Sequence, residues 1–410
     1  MTTTYHQLAP EQFDLLATGG GGASGVTALL TAQRSKHLMM IGYLLSNWPG
    51  PDGDRLAATL DAVRAADVLS APLVGAWASI ACRAVRHDSF ARAEFTQLGA
   101  VLVVAGAATG IDVEAEVPVR DGLVALPGVG AVPVPGGDST RAAARDGRIT
   151  VDGGPAAGML PVRYLTSAYG ERTIRLGLDD LDPYRHGHHA PPAPRLSAGE
   201  VARWQRLLDE AWTLLAARAP ERADELAAGL RTLVPLIDQD GQSSRSATLR
   251  HAFGAFGLTR PASPTEFAVT LVHEFQHSKL SAVLDLTTLS DPDDEQRYFA
   301  PWRVDPRPLA GLLQGVYAFV GVADTWRALR GDAASGALAE REFAKARLQV
   351  DRALDTVEHA GALTADGRRL ATRLRTVVDG FLAETVTPAA AGEAEQALER
   401  TRQAWLTRNA

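Results

Sequence analysis

One cysteine, Cys82, stands in a chain of 410 residues. That excludes an internal disulfide framework and any cysteine-rich zinc or iron-sulfur centre, and it fits a reducing compartment, so a cytoplasmic location is expected. No run of eighteen apolar residues occurs, and the opening MTTTYHQLAPEQFDLL lacks the charged-then-apolar layout of a secretory signal. Dense Lys/Arg runs are missing too, and the net charge is −7. A nucleic-acid or anionic-membrane surface is therefore not expected. Small molecules or another protein are the expected partners, and the oligomeric state is left open. With 46% hydrophobic and 22% charged residues, the chain has enough apolar material for one large or several ordinary cores.

The pattern along the chain changes about three times, which predicts a predominantly helical α+β fold. Residues 1–110 read as a helical N-terminal region, with Gly and Pro punctuating segments of helical period. GGGGAS, Gly19 to Ser24, is followed by no Gly-Lys-Ser/Thr, and it reads as a flexible connection rather than a phosphate loop. Residues 111–195 form a β-rich region: short alternating runs bounded by Gly and Pro predict a small antiparallel sheet. His186, His188 and His189 fall in a Pro/Gly-rich linker, where a solvated loop is expected. Residues 196–410 are again helical, with Ser197 as a natural cap and paired amphipathic helices at the end.

The chemistry is concentrated in LVHEFQHSKL, Leu271 to Leu280. Residues four apart share a helix face, so His273 and His277 present two imidazoles to one metal ion. Ser263 is a plausible cap for this helix, with Pro264 near its start. Glu274 borders the site and has a different role under each reading. In a zinc peptidase it activates the metal-bound water; in an oxygenase it supports the site from behind. Position 283 is valine, so the third histidine of one peptidase type is missing, and no glutamate lies on the helix expected at Leu309 to Leu329.

That helix offers Gln314, Tyr317, Gly321 and Asp324 on one side. Gln314 is the favoured third ligand and Asp285 the second choice; Asp324 lies about 15 Å beyond Gln314 along the helix. Arg303 and Arg307, in APWRVDPRPL, carry fork-shaped donors suited to a carboxylate, with a pair to Asp305 as the equal alternative. Tyr298 and Trp302 are candidates to wall the pocket, or else core residues.

Taken together, LVHEFQHSKLSAVLDL and RYFAPWRVDPRPLAGLLQGVYAFVGVAD resemble the HExxH-type peptide β-hydroxylase family of ribosomal peptide pathways. LVPLID, SSRSATLRHAFGAF, LDDLDPYR, FDLLATGGG and RSKHLMM extend the resemblance through most of the chain. The resemblance implies an Fe(II) oxygenase that uses 2-oxoglutarate and O₂ to hydroxylate a β-carbon of a precursor peptide. His273 and His277, with Gln314, would hold the metal, and Arg303 and Arg307 would grip the cosubstrate. Two alternatives stand beside it: a zinc metallopeptidase processing a peptide precursor, and a non-catalytic peptide-binding scaffold.

Overall fold

The computed structural model describes residues 6–87, 92–187, 190–238 and 245–409. In these, the helices α1 (Pro10–Ala17), α2 (Gly22–Ser46), α3 (Gly53–Ala62), α4 (Pro72–Arg86) and α5 (Arg92–Thr109) precede the first strand. Proline opens α1 and α4, where a missing N–H costs nothing. The strands that follow are β1 (Val113–Pro118), β2 (Leu123–Leu126), β3 (Gly130–Pro133), β4 (Ser139–Arg145), β5 (Arg148–Val151), β6 (Gly154–Pro155), β7 (Leu160–Pro161), β8 (Arg163–Tyr169) and β9 (Arg172–Leu178). Then come α6 (Ala198–Arg218), α7 (Pro220–Gly229), β10 (Thr232–Pro235), β11 (Ser246–Thr248) and β12 (Ala255–Leu258). The chain closes with α8 (Pro264–Leu284), α9 (Leu309–Leu329), α10 (Gly336–His359), α11 (Ala365–Ala383) and α12 (Pro388–Asn409).

The predominantly helical α+β class is what the structure shows. The expected single antiparallel sheet is instead three small sheets, ordered β1-β4-β5-β6, β2-β3-β7 and β11-β12-β10-β9-β8. In the third, β10 runs parallel to both β9 and β12. The chain leaves β9, crosses through α6 and α7, and returns alongside, which is the connection a parallel pair needs. His188 and His189 lie outside the described residues.

Packing divides the chain differently from its composition. Val26 and Leu29, near the start of α2, join a core with Leu176, Trp212, Phe275, Val316 and Phe343. Ile41 and Leu44, at its far end, join another with Trp77, Val101, Val117 and Val124. Fully burying each such side chain contributes about 1.5–3 kcal/mol, so this one helix ties both cores together. The strands β8 and β9 belong to the first core and β1 to β5 to the second, so the β-rich region is shared between them. Among the described residues, no single helix is long and apolar enough to cross a membrane.

α2 also carries His37, which is buried, with Nδ1 2.9 Å from the Leu69 carbonyl oxygen. Its Nε2 faces Gly75, where an added Cβ would lie 2.2 Å away. Burial holds the imidazole down to about 4, with the Leu69 bond opposing. The folded ring is thus neutral where the unfolded one takes a proton, below a pKa of about 6.5. Its contribution is complete above about pH 6.5 and is lost as pH falls towards 4, by up to about 1.4 kcal/mol per pH unit. Urea midpoints at pH 7 and pH 5 are expected to fall further in the wild type than in His37→Leu. Parallel declines would contradict this.

Candidate functional site

α8 begins where Ser263 accepts a hydrogen bond from the Glu266 N–H at 3.1 Å, with Pro264 in the first turn, as its sequence implied. It packs antiparallel to α9: His273 meets Phe319, Gln276 reaches the Tyr317 carbonyl, and Gln314 reaches Ser281. Gly321 permits the close approach, since a Cβ there would lie 2.6 Å from Cγ of Gln276.

His273, His277 and Ser281 form a stripe at four-residue spacing on α8. The two histidine Nε2 atoms are 3.0 Å apart, and both rings are partly buried. Nδ1 of His277 lies 3.1 Å from Oε1 of Gln314, while the Gln314 amide nitrogen donates to Ser281 Oγ at 3.2 Å. An amide oxygen only accepts, so His277 carries its proton on Nδ1 and its Nε2 is the acceptor in the contact with His273. Burial, reinforced by the neighbouring His277 and opposed by Glu274, holds His273 down to about 4. A neutral imidazole with a lone pair is the form that binds a metal.

The candidate third ligands, Gln314 and Asp285, take different places. Gln314 does reach the pair, but on the Nδ1 side of His277, where it orients the ring instead of sharing the space between the Nε2 atoms. Asp285, the second choice, caps α8 and is engaged by Lys36 at 2.7 Å, Arg250 at 2.9 Å and Gln33 at 2.9 Å. Asp324 pairs with Arg222 and Arg327. Among the described residues, no group of three or more His, Cys, Asp or Glu could hold a metal ion. What the described residues bring together here is a pair of imidazoles.

Glu274 is buried and turned towards β11. Its Oε1 accepts from Ser246 Oγ at 2.7 Å, and its Oε2 from Thr248 Oγ1 at 2.6 Å. Thr248 Oγ1 also stands 2.9 Å from the Glu274 carbonyl oxygen, so the two hydroxyl groups hold this residue by its side chain and its backbone.

The Ala-Pro-Trp-Arg loop is closed by reciprocal backbone bonds between Tyr298 and Arg307, at 2.8 and 2.9 Å. Trp302 stacks on Phe319 with ring centres 4.5 Å apart, and Phe319 meets the His273 ring edge-on at 5.5 Å. Gly315 makes room for the indole, because a Cβ there would lie 2.1 Å from it. Trp302 therefore walls the histidines through Phe319. The Tyr298 hydroxyl is turned to Gln296 and Asp294. Arg303 pairs with Asp305 at 2.7 Å, with Arg307 at 3.8 Å from the same carboxylate, so the Asp305 alternative is the one seen. A cosubstrate carboxylate would have to displace Asp305.

An adjacent face of α8 rests on the glycine turn. The Gly19 carbonyl accepts from Arg222 at 2.6 Å, Gln276 at 2.8 Å and Lys279 at 3.3 Å. Glu225 joins Lys279 at 2.8 Å and accepts from the Gly22 N–H at 3.1 Å. Gly19, Gly21 and Gly22 have φ of +76°, +116° and +60°, which only glycine adopts freely. GGGGAS is thus a built turn and not a flexible connection.

Phe319, Ser246, Thr248 and Ser281 were not singled out in the sequence. A hydroxyl pair beside a separate motif carries no local signal, although an aromatic one turn beyond Gly315 follows from helical spacing. No protein-family model matches the chain, and no curated protein matches it significantly.

Proposed function

We propose that the chain is an iron(II)- and 2-oxoglutarate-dependent oxygenase that hydroxylates a β-carbon of a side chain in a ribosomally made precursor peptide. The observation that carries this over peptide hydrolysis is the engagement of Glu274. A water-activating glutamate must present an oxygen to the metal-bound water, whereas the Glu274 carboxylate is buried and turned towards Ser246 and Thr248 on β11.

The donor set fits such a metal. The two Nε2 atoms, 3.0 Å apart, are close enough for both imidazoles to reach one ion, and they would hold it. When bound, iron(II) with 2-oxoglutarate and O₂ supplies the oxidising power to place one oxygen atom in a C–H bond, 2-oxoglutarate leaving as succinate and CO₂. His273 and His277 hold the ion, and Gln314 keeps His277 in the donor tautomer. Trp302 and Phe319 exclude water from one side of the clamp, and Arg303 or Arg307 takes the distal carboxylate after releasing Asp305.

Glu274→Gln tests the reading. The glutamine still accepts one hydroxyl bond, so metal content is expected to be unchanged and succinate formation to fall less than about tenfold, the loss of one support beside the ligands. A peptidase predicts the reverse, with metal retained and turnover nearly abolished. Loss of more than a hundredfold with full metal content would count against the oxygenase.

A further inference from the structure

We propose that the substrate peptide lies extended along the free edge of β11, antiparallel to it, and that Lys36 and Arg250 hold an acidic side chain about four residues before the one at the histidines. That this peptide is a substrate rests on the oxygenase reading, but its binding needs neither metal nor turnover.

Among the described residues, β11 is the last strand of its sheet. In an antiparallel pair, alternate residues turn their N–H and C=O groups to the partner, and those between turn theirs away. The Arg245 carbonyl accepts from the Thr259 N–H at 2.9 Å, and Ala247 stands opposite Gly257, so these two positions face β12. Leu258, between Gly257 and Thr259, gives its carbonyl to Leu236 on the far side, as this alternation requires. Ser246 and Thr248 therefore direct their backbone groups to the open side, where Ser246 is exposed and Thr248 half-buried. A row of backbone donors and acceptors at a sheet edge is what an extended peptide pairs with.

The open side is that of the histidines. At 100° per residue, Leu271 and Phe275 lie on one flank of Glu274 and His273 and His277 on the other. Ser246 and Thr248 sit over Glu274 itself. Phe253, just before β12, meets Phe275 with ring centres 5.9 Å apart, so β12 takes the core flank and the free edge of β11 takes the other. The chain then follows α8 to its end, where Arg250 donates to the Ser281 carbonyl at 2.8 Å and pairs with Asp285 at 2.9 Å.

That end carries a surplus of positive charge. Lys36, 2.7 Å from Asp285, and Arg250 share this one carboxylate. His251 Nδ1 lies 3.2 Å from Lys36 Nζ, and burial, reinforced by Lys36, Arg250 and Arg83, holds the imidazole down to about 4, so it stays neutral at pH 7. The cations are reachable: the side chains of Arg250 and Lys36 are 43% and 21% exposed, and a guanidinium has donors beyond the two engaged here. A carboxylate is the group that answers them. From His277 to Asp285 is about 12 Å by helix rise, which about four residues of extended chain cover. In an antiparallel peptide, the residues beside Arg250 precede those beside the histidines.

The probe is the blocked hexapeptide acetyl-Glu-Val-Thr-Val-Thr-Val-amide, titrated calorimetrically into the full chain without metal. It is expected to bind at least tenfold more tightly than its glutamine counterpart and than acetyl-Val-Thr-Val-Thr-Val-Glu-amide, whose acid is at the wrong end. Arg250→Gln is expected to remove the preference for Glu over Gln while leaving the affinity for the glutamine peptide unchanged, a split that mere loss of structure would not give. N-methylation of the three valines in one peptide and of the two threonines in another separates the two edges of the bound strand. One of these is expected to lose at least tenfold in affinity and the other to change less than threefold. His273→Ala should bind the probe as the wild type does, so failure of the oxygenase reading leaves this result standing. Absence of binding, equal affinity for the glutamine or reversed peptide, equal losses in the two methylated peptides, or an Arg250→Gln variant that keeps the preference or weakens both peptides alike would overturn the proposal.

Discussion

His277→Ala is expected to lose metal affinity by well over a hundredfold while keeping the helical fold. The two Nε2 atoms converge only on each other, and no third His, Cys, Asp or Glu completes a group with them among the described residues. Removing one imidazole leaves a single neutral donor. Gln314→Ala removes the support instead of the ligand, and supports of this kind are worth about ten- to a hundredfold in metal affinity. Anaerobic iron loading, desalting and metal analysis should therefore rank wild type above Gln314→Ala and Gln314→Ala above His277→Ala. Had Gln314 been a ligand, the two variants would fall together. Stoichiometric metal in His277→Ala would remove the clamp.

Lys279→Met is expected to destabilise the fold by about 3 kcal/mol, the low end of what breaking one side of a buried ion pair costs. Lys279 is fully buried, 2.8 Å from Glu225, and its loss leaves that carboxylate with Arg222 and the Gly22 N–H alone. The low end applies because Arg222, at 3.2 Å, still offsets the charge. Adding Glu225→Gln should recover part of the loss, since it removes the stranded charge. Urea unfolding of the two single variants and the double variant measures both statements. A Lys279→Met effect below about 1 kcal/mol would show that this network contributes little.

How far these features could be read in the sequence depends on how local their causes are. The caps at Ser263 and Ser197 and α9 at Leu309–Leu329 rest on neighbours within a few residues, and each stands where the pattern put it. The same holds for the shared face of His273 and His277, which four-residue spacing alone dictates. Gln314 was found as a residue facing the clamp, because helical spacing gives the face. Which ring nitrogen it meets depends on how closely two helices pack, and the sequence carries no signal for that.

Glu274 shows the limit more sharply. Its partners Ser246 and Thr248 lie on a strand whose place beside α8 follows from the parallel entry of β10, itself hidden behind the α6–α7 crossover. The glycine turn was misread for a related reason. A loop of glycines looks permissive by itself, and its rigidity comes from Arg222, Gln276 and Lys279, each more than two hundred residues away along the chain.

The most direct test of the oxygenase reading is the fate of 2-oxoglutarate and of an added precursor-type peptide after anaerobic loading with iron(II) and admission of air. The account predicts succinate formation that needs iron, O₂ and both histidines, with the peptide gaining about 16 Da, the mass of one oxygen atom. No succinate, together with peptide fragments whose masses sum to the parent plus about 18 Da, would mark hydrolysis and contradict it.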